Sequence, residues 1–187
     1  MTKSPVEGSG SNAGLRAVLW LDAAAMAGGQ RPRAAVAAVR VLIHPRWRAV
    51  LMWRVAQWSV GRRGGRLPAL WLTGRILRGC GAELMPTSRI GPGLCLVHTT
   101  GLVVGAEVIA GSRLTLHQGV TLGDRYPGGG QPSLGDDVVI GAGATVLGPV
   151  ALGDGCRIAA NAVVLHDVPA GTLAVGVPWR GPSGRTA

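Results

Sequence analysis

A chain of 187 residues, 47% of them hydrophobic, is long enough for one catalytic module with a modest extension. Its 31 glycines, single tyrosine and complete lack of phenylalanine exclude an ordinary aromatic-centred core and call for tight turns at short intervals. The net charge of +10 is concentrated in the first 80 residues, where 13 Lys and Arg face only Glu7 and Asp22; no aromatic-basic module accompanies it, which argues against nucleic acid as a partner.

Residues 1–14 are small and polar and read as a disordered leader rather than a secretory signal. Residues 15–80 form a basic helical segment suited to oligomerisation or to surface association, peripheral membrane contact included. Within it, apolar spacing predicts helices over 15–27, 45–60 and 68 to about 77, with Trp47, Leu51, Val55 and Trp58 on one stripe of the second. Arginines interrupt every apolar stretch, so no membrane span is expected. Cys80, Cys95 and Cys156 form no CxxC pair; they suggest neither a disulfide framework nor a zinc site and fit a reducing cytoplasm.

From residue 81 to 187 the pattern changes to apolar residues recurring every six positions, most clearly Leu134, Ile140, Val146, Leu152, Ile158 and Val164. Earlier leads are Ile90 and Leu96, then Val104, Ala110, Leu116 and Leu122. The spacing from Leu96 to Val104 is two residues too long, and residues 123–133 break the repeat. Three short strands per turn, each lead pointing to the axis, would build a triangular coil with a narrow aliphatic core and no room for phenylalanine. The expected class is mainly β: a parallel β-helix behind an N-terminal α-helical segment.

The segments Ile90-Gly-Pro-Gly-Leu94, His98-Thr-Thr-Gly-Leu-Val-Val-Gly105, Gln118-Gly-Val-Thr-Leu-Gly123, Val139-Ile-Gly-Ala-Gly-Ala144 and Val175-Gly-Val-Pro178 resemble the hexapeptide-repeat acyltransferases, and among them the serine acetyltransferase group. The resemblance covers roughly residues 81–180. It implies a left-handed parallel β-helix, a homotrimer that in some members pairs into a hexamer through N-terminal helices, and active sites between neighbouring coils. It also implies acetyl-CoA as co-substrate, with no metal or prosthetic group.

His98 stands at the family's catalytic histidine and matches the chemistry, because neutral imidazole can take the proton of an attacking hydroxyl near neutral pH. Glu83 aligns with the carboxylate that orients it. The resemblance further assigns Gly123, Ala142, Arg157, Ala160 and Arg180 to CoA, the two arginines on its phosphates. His117 lines the cleft or an interface between copies, and Asp124, Arg125 and Tyr126 belong to a glycine-rich specificity lid. Two departures matter: Val97 replaces an Asp that pairs with the serine ammonium, and Gln131 replaces a His that holds its carboxylate. A site lacking both ionic handles binds a free amino acid poorly. The expected activity is therefore O-acetyl transfer to a sugar or metabolite alcohol. Serine O-acetyltransferase of cysteine biosynthesis is the alternative, and a non-catalytic scaffold is the third reading.

Overall fold

The computed structural model describes residues 14–181, so the leader, apart from Gly14, and the end of the C-terminal tail lie outside the described residues. Four helices come first: α1 (Leu15–Met26), α2 (Ala34–Ile43), α3 (Pro45–Val60) and α4 (Arg66–Cys80). Proline at the first turn of α3 is preorganised for a helix start, and α4 ends where Gly81 takes a φ of 68°, a left-handed cap that a side chain would strain. The sequence reading passed over α2. Its AAVAAVRVLI run is apolar but for Arg40 in the last turn, and none of its residues is fully buried.

Fourteen short strands follow in three parallel sheets. The first sheet holds β1 (Ala82–Leu84), β4 (Leu102–Val104), β7 (Thr121–Gly123), β10 (Thr145–Leu147) and β13 (Val163–Val164). The second holds β2 (Arg89–Ile90), β5 (Ile109–Ala110), β8 (Ser133–Leu134) and β11 (Ala151–Leu152). The third holds β3 (Cys95–Leu96), β6 (Thr115–Leu116), β9 (Val139–Ile140), β12 (Arg157–Ile158) and β14 (Leu173–Ala174). Strands pair with the strand three places along, except that β14 pairs with β12 because the chain above β11 contributes only the single bridge of Leu152 with Val168, so the chain winds as the parallel β-helix that the hexads require.

All twelve leads read from the sequence are buried, from Ile90 through Val164. The residue two places before each lead is buried as well, as at Leu94, Leu114, Val138 and Cys156, because side chains alternate along a strand. Each flat face thus supplies two inward side chains per turn, one branched and often one smaller.

The first coil has no strand beneath it, and its free backbone groups need other partners. Helix α3 supplies them. The Trp53 indole N–H donates to the Met85 carbonyl at 3.1 Å, Gln57 Nε2 to Ser88 at 2.6 Å, and Arg54 Nη1 and Nη2 to Ile90 and Gly91 at 2.7 Å each. Asp22 of α1 completes the arrangement, its Oδ1 accepting the Gly93 and Leu94 N–H groups at 2.8 and 2.9 Å while its carboxylate pairs with Arg54 at 2.8 Å. Both charged partners are buried, 1% and 5% exposed. The packed stripe of α3 is therefore Trp47, Val50, Trp53 and Arg54, not the expected Trp47, Leu51, Val55 and Trp58. A pattern search that treats arginine as outward-facing selects the wrong side of this helix.

Candidate active site

His98 lies between β3 and β4, at the corner joining the third sheet to the first. The strand register makes this corner unusual. Leu96 pairs with Leu116, but Val103 pairs with Thr121, so the first coil uses six residues where the second uses four. The long spacing noted in the sequence is a two-residue expansion within the segment that carries His98. Thr99 turns inward, 6% exposed, its carbonyl accepting the Leu102 N–H at 3.1 Å, whereas His98 is exposed. Glu83 is the outward-facing central residue of β1 on the adjoining sheet, opposite Val103. Among the described residues no hydrogen bond joins Glu83 to His98.

The same corner continues through the later coils. Backbone bonds run from His117 N–H to the Ile140 carbonyl at 3.2 Å, from Gly141 to Ile158 at 2.8 Å and from Ala159 to Ala174 at 2.9 Å, which stacks Val97, His117, Gly141, Ala159 and Val175 in one column. Ala142 and Ala160 follow two of these rungs, and both side chains are at least partly open to solvent. The neighbouring column on the third sheet is Cys95, Thr115, Val139, Arg157 and Leu173. Leu173 also lines a shallow depression of about 400 Å³ with Val175, Pro178, Trp179 and Arg180. The fold thereby gathers His98, His117, Ala142, Ala160, Arg157 and Arg180 along one edge, the histidines at one end and the arginines at the other.

Five assigned residues lie elsewhere on the same chain. Gly123 ends β7 at the corner between the first and second sheets, and Asp124, Arg125 and Tyr126 leave the coil there, exposed, with the Arg125 guanidinium 5.4 Å from the Tyr126 ring centre. Gln131 folds back on the preceding turn of its own β-helix, where its Oε1 accepts the Glu107 N–H at 2.9 Å and its amide fills the space over Gly105 that a Cβ would take.

Sequence reasoning missed Arg46. From the first turn of α3 its Nη1 donates to the Val97 carbonyl at 3.3 Å, next to His98. Burial raises the Cys95 thiol pKa, and the nearby Arg46 charge opposes part of that rise. Nothing in the local sequence links position 46 to position 97. Cys80, Cys95 and Cys156 are all free, and no group of three or more His, Cys, Asp and Glu is clustered among the described residues.

Residues 132–166 match the family model described as bacterial transferase hexapeptide (six repeats). A solved serine acetyltransferase from Neisseria gonorrhoeae in complex with serine superposes with a TM-score of 0.79 at 30% identity, covering 89% of this chain and 68% of that one. The soybean serine acetyltransferase apoenzyme superposes with a TM-score of 0.77 at 37% identity and the same coverage. The chain belongs to the serine acetyltransferase family. Among curated family members, serine acetyltransferase 4 of Arabidopsis thaliana is 37% identical over 86 residues, 42% of this chain but 24% of that protein. The Synechococcus elongatus serine acetyltransferase is 39% identical over 84 residues, 44% of this chain and 34% of its own length. The sequence matches thus span about a quarter to a third of these curated serine acetyltransferases. Another solved family member is a complex with CoA.

Proposed function

We propose that the protein transfers an acetyl group from acetyl-CoA to a hydroxyl, with His98 as general base. The observation that carries this reading is the single edge joining exposed His98, through a strip of small residues, to Arg157 and Arg180. Three ladder steps separate Cys95 from Arg157, roughly 14 Å at the usual strand spacing, a run suited to an extended pantetheine arm. Gly141, Ala142, Ala159 and Ala160 leave backbone groups approachable along that run, and the two guanidiniums suit the phosphates of the nucleotide end.

The imidazole of His98 takes the acceptor hydroxyl proton as that oxygen attacks the thioester carbon. The tetrahedral oxyanion then collapses, the carbon–sulfur bond breaks, and the imidazolium returns its proton to the leaving thiolate to give free CoA. Glu83 is the carboxylate assigned to hold the second ring N–H. Because the 124–131 lid leaves the coil at a different corner from His98, a site using both takes them from two copies, which supports a trimer. Three free thiols fit a cytoplasmic enzyme.

Serine is the acceptor that family membership favours. A second reading, a neutral sugar or metabolite alcohol, rests on Val97 beside His98 and on Gln131, whose acceptor oxygen is engaged by Glu107. The test is thiol release from acetyl-CoA by wild type and His98→Ala, with L-serine beside a panel of sugars and hydroxylated metabolites. Histidine-dependent turnover of serine establishes the first reading, and turnover only of another alcohol establishes the second. Equal release by both proteins with every acceptor rules out His98 as the base.

A further inference from the structure

Helix α4 carries two apolar faces. Ala69, Ile76 and Cys80 are buried on one, while Leu67, Leu70 and Trp71 on the opposite face are 78%, 61% and 61% exposed. A surface helix ordinarily shows water its polar side. Around this outward face stand exposed Arg63, Arg66, Arg75 and Arg78, and the Arg75 guanidinium lies 5.7 Å from the Trp71 ring centre. Between Asp22 and Glu83 the chain has eleven arginines and not one acid. Asp22 itself is consumed by Arg54 inside the core.

We propose that the outward face of α4 docks on an anionic lipid surface, its Leu and Trp side chains entering the headgroup boundary and its arginines meeting lipid phosphates. Charge decides between this occupant and a second copy of the chain. A two-fold contact of this face with the same face of another copy would press acid-free, arginine-rich surfaces together with no carboxylate of the segment to pair them, whereas an anionic bilayer supplies the missing charge. No described helix is long and apolar enough to cross a membrane, so the attachment is peripheral. Exposed Leu67, Leu70 and Trp71 separate this mode from a purely electrostatic polyanion site, which gains nothing from them. The docking does not depend on the acyl-transfer reading, and its test does not measure turnover.

The experiment is co-sedimentation of the full chain with phosphatidylcholine vesicles, pure or containing about a third phosphatidylglycerol. The expected result is about tenfold or more tighter binding to the anionic vesicles, weakened by added salt. Leu70→Ser/Trp71→Ser and Arg63→Gln/Arg66→Gln should each lose most of that binding, with melting temperature and sedimentation coefficient unchanged. Equal binding to neutral and anionic vesicles, or none to either, overturns the proposal. So does full retention by the Leu70→Ser/Trp71→Ser protein. A fall in its oligomeric state also overturns it, because the face would then be a contact between copies.

Discussion

Replacing Asp22 by alanine tests the idea that the helices are fastened to the coil by one buried ion pair. The substitution strips two bonds from Arg54 Nε and Nη2, at 2.8 and 3.2 Å, and orphans the Gly93 and Leu94 N–H groups. Arg54 stays buried at 5% exposure with the Ile90 and Gly91 carbonyls as its remaining coil partners. Breaking a buried pair from one side costs about 3–5 kcal/mol, because a charge is left without its counterion. For a domain of this size that corresponds to a fall in melting temperature of roughly 6–20 °C. Urea unfolding at matched protein concentration measures it, since any assembly of copies shifts the midpoint with concentration. Arg54→Met should cost a similar amount, and the double variant should be less destabilised than the sum by about 1–3 kcal/mol. A loss below about 1 kcal/mol for Asp22→Ala, or strict additivity in the cycle, would refute the reasoning.

Leu116 is fully buried at the centre of the coil, and Leu116→Ala should cost about 2–5 kcal/mol in urea unfolding. At Gly141 an added Cβ would lie 2.7 Å from the Ala160 nitrogen, so Gly141→Ala should destabilise by about 1–3 kcal/mol although alanine is the smallest possible change. The exposed pair of Arg113 with Asp137, 2.6 Å apart, should matter far less: Arg113→Ala is expected to shift stability by under about 1 kcal/mol in the same assay. Burial, and then the Asp154 carboxylate, push the Cys156 thiol up to about 11, above its ordinary value of 9.0. Iodoacetamide at pH 8 should therefore spare Cys156 in the folded chain and label it after denaturation, as read by mass spectrometry. The unfolded thiol ionises first, so this group's contribution to stability is intact below pH 9 and declines as pH rises from about 9 towards 11.

The architecture of residues 81 onward was legible because its cause is local and periodic. A coil with six residues per face must place an aliphatic side chain inward every six positions, and the leads from Ile90 to Val164 occupy the axis accordingly. The overlong step from Leu96 to Val104 was visible as well, though only strand register showed that the two added residues lie at the corner carrying His98. His98 and Glu83 were singled out by resemblance, and so were Arg157 and Arg180, which the fold collects at the far end of the edge that carries His98.

Tertiary structure decided what depends on contacts between distant segments. Arg54 and Asp22 read as solvated charges in any linear pattern, yet the open end of a β-helix needs donors and acceptors, and α3 and α1 place these two side chains there. The same packing brings Arg46 to the Val97 carbonyl across 51 positions of sequence. Gln131 and the 124–126 loop lie at a different corner from His98 because three faces per turn separate residues that hexad counting treats as neighbours. Helix α2, apolar but for Arg40 and with no fully buried residue, takes its place in the fold from its packing on α3.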